Sequence, residues 1–335
     1  MKKQVTILGG KILGLYAAIK CIDLGYEVSI IDKSGVLGNL NYTNYQFFNK
    51  NHKFYISLLN KFDIQYTSHT KERIDKIFDI FSYIIQKSKL MPNRNLYTQS
   101  FEIFCKMLLL PYEYEILKNY LFEYECIFSN MSAMDFISIY INDIVMYKEY
   151  YELHDNINIL INKMIKYLTD KGAKFILNTE IKNIQYFNNN KANLISTTKN
   201  YICDILIITI SNENLHHYKI FNKDHLRLLD SVSLFNVKDN NLYNIVYKTA
   251  TINNDINIQT NLLDHLHIVY PIQKYNNIHL WKIGTNNIII REKIRNISPF
   301  IFICSESFSK NPFFINYSFE SFENILPNIT RLSYS

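Results

Sequence analysis

Val5-Thr-Ile-Leu8-Gly9-Gly10-Lys11-Ile-Leu-Gly14-Leu15, with Glu27-Val-Ser-Ile-Ile-Asp32-Lys33 after one helix length, decides the fold. A short apolar run ends in glycines, an alanine- and leucine-containing stretch follows, and a second apolar run ends in an acid. That order predicts a buried strand, a tight turn, a helix and a parallel second strand, which is a βαβ unit. Six of the chain's eight glycines fall within its first 38 residues, so the backbone freedom is concentrated at this one turn region.

The spacing is close to Gly-x-Gly-x-x-Gly with an acid about 20 residues further on, a pattern that places a dinucleotide's pyrophosphate on the helix N-terminus and a ribose on the acid. Here it reads Gly9-x-Lys11-x-x-Gly14. The first glycine permits the turn and the third lets helix and strand approach; both are present. The second lets backbone approach the phosphates, and Lys11 stands there. Its side chain either fills phosphate space or lays its ammonium over a phosphate as a point charge. Gly10 offers relief if the turn shifts by one residue. The remaining alternative is a βαβ unit kept as architecture that binds nothing.

At 335 residues the chain can bury one large or two medium cores. No apolar run is long enough for a transmembrane helix. The N-terminus lacks the apolar region and cleavage site of a signal peptide, so an intracellular product, cytoplasmic or in a virion, is expected. Cys21, Cys105, Cys126, Cys203 and Cys304 are odd in number and widely spaced, which predicts free thiols rather than a disulfide framework or zinc site. The net charge of +6 rests on scattered lysines with only six arginines. No basic stripe points to specific nucleic-acid binding. Abundant Asn, Ile, Tyr and Lys with scarce Gly and Ala fit the codon bias of an AT-rich genome, such as a parasite's or a large DNA virus's.

Along the chain, Ile74, Ile77, Phe78, Phe81 and Ile84 recur at helical spacing, and Phe101–Leu110 and Tyr112–Cys126 continue a helical segment over about 71–150. Residues 156–170 read as an amphipathic helix stopped at Lys171-Gly172. A strand at 174–179, another from Glu180, a polar turn at Asn188–Asn190 and a near-continuous apolar strand at 203–210 follow. The last has the composition of a strand covered on both faces. Residues 213–300 read as short strands and polar loops, 299–304 as the last strand, and Asn316–Leu326 as the closing helix. His216-His217 and His265-x-His267 find no partners for a convincing metal site, and there is no nucleophile elbow, P-loop or HExxH.

Taken in order, these segments resemble the flavin-containing amine oxidase-like family. Four stretches carry the resemblance: the N-terminal fingerprint with Asp32; Val36-Leu37-Gly38-Asn39, similar to the family's Gly-Gly-Arg or Gly-Gly-Asn; Phe47–Tyr55 with Leu58–Ile64; and the closing run Phe302-Ile-Cys-Ser305-Glu306 through Glu320-Ser321. Gly172–Ile184 and Trp281-Lys-Ile-Gly284 resemble two further family segments. The resemblance implies a two-domain α/β flavoprotein, a Rossmann-like sheet domain with a helical cap and a reduced substrate domain. The FAD-binding-type half would combine 1–67, 151–212 and 296–330; the cap and substrate half would combine 68–150 and 213–295.

It also implies FAD as cofactor, held by Gly9, Gly10, Lys11, Gly14, Asp32, Lys33, Gly38, Asn39, Ile181 (backbone to adenine), Ser305 and Glu306 (ribityl hydroxyl). Lys11, Ser305, Phe313 and Tyr317 stand where the family pattern has glycine, and Leu37 replaces another. Phe314 matches one of the two aromatics that flank the flavin; Asn287 or Ile288 falls at the other. In such enzymes the flavin accepts the hydride and the protein supplies an apolar, orienting pocket. Two functions follow: an FAD-dependent oxidoreductase acting on a small amine or similar substrate, or an inactive scaffold that binds protein partners. Tyr317 and Phe313 are expected to fill part of the flavin volume in the second case.

Overall fold

The computed structural model describes residues 2–38, 47–70, 75–121, 125–144, 149–187, 190–236, 277–311 and 315–333. Its centre is a six-stranded sheet in the order Asn296–Ser298, Ile301–Ile303, Ile205–Ile208, Gln4–Leu8, Glu27–Ile31, Lys174–Ile176. All neighbours are parallel except the first pair. Gln4–Leu8 lies between its partners with Ile7 opposite Ile207 on one side and Ile30 on the other. Ile205–Ile208 is buried at every position, as a strand covered on both faces must be. Both strands of the βαβ start and the strands read at 174–179 and 203–210 therefore lie in one sheet.

The expected helix of 156–170 spans Asn158–Asp170 and packs with Ile12–Asp23 on one face of the sheet. Gly172 ends it at φ +83°, in the left-handed region that glycine enters without strain. An antiparallel meander, Ile181–Phe187, Lys191–Ser196 and Asn200–Cys203, covers part of the other face through Ile184, Leu194 and Cys203.

Among the described residues of 75–139, six helices surround their own core of Phe81, Phe101, Phe104, Leu117 and Phe136. Phe101 and Phe136 stack at 4.1 Å. Ser100 and Ser132 cap two of these helices, accepting from Ile103 and Asp135 N–H at 3.2 and 3.1 Å. The segment rises from an antiparallel sheet of Phe47–Phe48, Glu149–Leu153 and Tyr66–Thr70. A ribbon of Val232–Asn236 and Asn277–Trp281 ties it to the main body: Leu280 enters the helical core and Trp281 the sheet core.

Among the described residues of 213–300, the strands Val232–Asn236, Asn277–Trp281 and Asn296–Ser298 are accompanied by two helices that the sequence reading did not include. Lys223–Leu229 and Asn287–Ile294 are helices, capped by the side chains of Asn222 and Asn286. Those two asparagines were the available signal; their caps favour a helix where the following residues alone are neutral. The closing helix is Ile315–Glu323, followed by a second over Leu326–Ser333. Cys21, Cys105, Cys203 and Cys304 are buried free thiols. No helix among the described residues is long and apolar enough to cross a membrane. Asn39, Asn188, Asn189, His265, His267, Phe313, Phe314 and the side chains of Cys126 and Glu306 lie outside the described residues.

Candidate functional site

The glycine turn sits at the C-terminal edge of the sheet, where open α/β sheets bind ligands. Gly9 has φ +117°, and a β-carbon on it would lie 2.5 Å from Thr209 Oγ1. Thr209 in turn donates its hydroxyl to the Leu8 and Gly9 carbonyls, both at 3.1 Å. A β-carbon on Gly14 would stand 1.9 Å from the Gly9 carbonyl oxygen. These two glycines are therefore required by packing alone. Lys11 is the N-cap of Ile12–Asp23; its side chain is exposed and makes no capping bond.

Asp32 follows its strand at the position expected for a ribose acid. One carboxylate oxygen accepts the Gly10 N–H and the other accepts the Ser34 N–H at 2.6 Å. The loop after it folds back on the turn: Gly38 donates its N–H to the Gly10 carbonyl at 2.7 Å. Leu37, nearly buried, then packs on Gly10, its Cδ2 2.6 Å from where a β-carbon on that glycine would be. Gly38 has φ +67°, and a β-carbon there would meet Ile161 Cγ2 at 2.2 Å, so this glycine serves the contact with Asn158–Asp170. Lys33 is exposed.

Ile181 is buried, and its carbonyl accepts the hydroxyl of buried Tyr218 at 3.3 Å. Asn183 holds the same segment by accepting the Lys219 N–H at 3.0 Å. Sequence reasoning missed Tyr218; nothing in its neighbourhood marks a partner 37 residues away.

Ser305 is buried at the end of Ile301–Ile303 and accepts the Ser307 N–H at 3.3 Å. Glu306 opens a single helical turn, Glu306–Phe308. Ser307 Oγ accepts the Asn212 N–H at 3.1 Å, and the Ser309 carbonyl accepts Trp281 Nε1–H at 3.1 Å. From the closing helix, Asn316 Oδ1 accepts the N–H groups of Phe54 and Tyr55 at 3.0 and 3.2 Å, capping Lys53–Lys61 from a distant part of the chain. Tyr317 is buried with its ring edge-on to buried His52 at 5.8 Å. Among the described residues no cluster of His, Cys, Asp or Glu could hold a metal ion.

No protein-family model and no curated protein sequence matches the chain. Solved structures do. Cyclohexylamine oxidase from Brevibacterium oxydans IH-35A is 10% identical with a TM-score of 0.69, over 100% of each chain. Wild-type putrescine oxidase bound to putrescine is 10% identical with a TM-score of 0.63, over 99% of each chain. A putrescine oxidase variant from a redesign of cofactor binding gives 10% and 0.69, again over 99% of each. The chain thus has an amine-oxidase-like fold, as the resemblance implied.

Flavin adenine dinucleotide can be tested against this geometry. The Gly9 turn, the helix N-terminus and Asp32 suit a pyrophosphate and a ribose. At the adenosine end Leu37 packs on Gly10, and the Ile181 carbonyl accepts the Tyr218 hydroxyl while keeping a second lone pair.

Proposed function

We propose that the chain keeps an amine-oxidase-like fold as a non-catalytic structural or interaction protein, its dinucleotide cleft closed by its own side chains. Fold alone does not decide between an oxidase and a scaffold. The observation that carries this reading is Leu37 packed on Gly10, at a position where the family resemblance has glycine. Tyr218 on Ile181 and the buried Tyr317 support it. In the same reading 1–67, 151–212 and 296–330 make up the dinucleotide-type unit, and 68–150 and 213–295 the cap; the separate core of the helical segment supports that division. Its partners are then other proteins.

A second reading is FAD-dependent oxidation of a small amine, with hydride passing from a C–N bond to flavin. Gly9, Gly14 and Asp32, kept in place at the N-terminus of Ile12–Asp23, favour it, as does similarity over the whole chain to two amine oxidases. One experiment separates them. Purified protein is examined for absorbance between about 350 and 500 nm, where bound flavin absorbs, then titrated with FAD and assayed with cyclohexylamine and putrescine. A colourless protein that neither binds FAD nor oxidises either amine is expected. Stoichiometric FAD in the purified protein overturns the first reading.

A further inference from the structure

Helix Phe101–Leu108 is apolar on two opposite faces. Inward, Phe101, Phe104 and Cys105 are buried in the helical core. Outward, Ile103 and Met107 are 53% and 65% exposed. They are four residues apart, so one stands a turn above the other. Leu110 and Tyr112, 56% and 57% exposed where helix Pro111–Tyr120 starts, extend the patch beyond the end of the first helix. By contrast, helix Asn158–Asp170 turns Asn162, Lys163, Lys166 and Asp170 to water. A helix that is apolar all round belongs where it is covered all round.

The size of the patch bears on what covers it. The four residues present on the order of 500 Å² of mostly apolar surface, enough to mark an interaction site. A standard interface takes about 800 Å² from each partner, and about 65% of it is apolar in homodimers. The patch therefore supplies nearly the whole apolar part of one side of a dimer.

The charges beside it select the occupant. Glu102 and Lys106 run along one flank of the helix and pair at 2.7 Å. Glu102 is held in place by the Ser129 and Tyr114 hydroxyls at 2.8 and 3.1 Å. Lys106 lies over the Tyr114 ring at 5.3 Å, its side chain about half exposed. When two identical helices pack antiparallel about a two-fold axis, the same flank of each faces the other in reversed order. Glu102 of each copy then meets Lys106 of the other, and Ile103 meets Met107. One charge of each sign gives this flank no net attraction for an anionic lipid surface, the other place where an exposed apolar helix face settles.

We propose that this face is a homodimer interface, in which helix Phe101–Leu108 packs antiparallel on the same helix of a second copy, with Leu110 and Tyr112 closing its ends. It lies on the helical segment, and it stands whether or not the sheet edge holds a dinucleotide.

The test is sedimentation velocity of the full chain over a range of micromolar concentrations. A concentration-dependent dimer is expected. Met107→Lys and Ile103→Lys should each weaken association at least tenfold, because each places a charge on the two-fold contact. Leu90→Lys, an equal change at an exposed leucine off the patch, should leave the dimer unchanged. Lys106→Glu should weaken it severalfold, since Glu102 of the second copy then faces a like charge. A wild-type monomer at every concentration overturns the proposal, including one that binds anionic vesicles instead. So does a dimer that Met107→Lys leaves intact, an equal loss in Leu90→Lys, or no effect of Lys106→Glu. Should a lysine variant fail to fold by circular dichroism, Met107→Ser and Ile103→Ser decide by the same comparison.

Discussion

The carbonyl oxygen of Gly9 stands 1.9 Å from where a β-carbon on Gly14 would be, so the first helix begins in direct contact with the end of the first strand. Gly14→Ala must push helix and strand apart across a junction that also holds Thr209. A loss of about 3 kcal/mol is expected, the upper range for overpacking. Lys11→Gly, on an exposed side chain that caps nothing, should change stability by about 0.5 kcal/mol or less. Urea unfolding of both variants checks the contrast; equal losses would mean that Lys11 has a structural role not visible in its contacts.

That contrast also shows why half of this site could be read from sequence. Gly9, Gly14 and Asp32 act within one βαβ unit, where spacing along the chain translates directly into position. The strand at 203–210 was legible because burial on both faces leaves an unbroken apolar run. Other contacts come from afar: Tyr218 reaches Ile181 across 37 residues, and Asn316 caps a helix across more than 260. A hydroxyl or amide has no local signature of such a partner. Leu37 was visible as a departure from glycine, but only the fold places it on Gly10. The stripe Asn287, Arg291, Arg295 has helical spacing and Asn286 caps its start, but the apolar run Ile288–Ile290 beside it fits a short strand equally well.

Stability should depend on pH through Asp135. Burial pushes its carboxyl up to about 6 from the ordinary 3.8, against the pull of Ser132, Arg291 and Asn287. Below about pH 4 the group is protonated in both states. Between about 4 and 6 the folded protein keeps the proton and the unfolded chain does not, so stability falls as pH rises through that window and levels off above it. The loss is on the order of 3 kcal/mol for a shift of about two units. Glu102, held below the usual carboxylate range by Lys106, acts in the opposite sense at lower pH. The measurement is therefore the difference between wild type and Asp135→Asn in urea midpoints from pH 4 to 7. Parallel curves for the two proteins would rule out the effect.

The closing helix is clasped to the first helix by Glu323. Its carboxylate accepts the Tyr16 hydroxyl and pairs with Lys20 at 2.8 Å, while the Tyr16 ring stacks on Phe319 at 4.2 Å. Burial and the bond to Glu323 push the Tyr16 hydroxyl well above its usual range. Tyr16→Phe keeps the stack and removes the bond, so a loss of about 2 kcal/mol is expected, as for a hydrogen bond to a charged group. Lys20→Met, removing only the half-exposed ion pair, should cost well under about 1 kcal/mol. If the two losses are equal, the clasp is the ion pair and not the hydroxyl.

Reopening the cleft is the most direct check on the reading of the site. Leu37→Gly uncovers Gly10, Tyr218→Phe frees the Ile181 carbonyl for an adenine, and Lys11→Gly clears the phosphate approach. The first substitution removes a nearly buried side chain and should cost about 3 kcal/mol on its own, so binding must be measured on protein still folded at low temperature. Wild type is expected to show no FAD-dependent rise in melting temperature. The triple variant should show one that grows with FAD concentration, because a ligand that binds only the folded state stabilises it by RT ln(1 + [L]/Kd). AMP in place of FAD isolates the adenosine end: Leu37→Gly with Tyr218→Phe should bind it, and Lys11→Gly alone should not. A wild-type protein that already gains stability from FAD, by as much as the triple variant, would mean that Leu37 moves aside and that the cleft is a working flavin site.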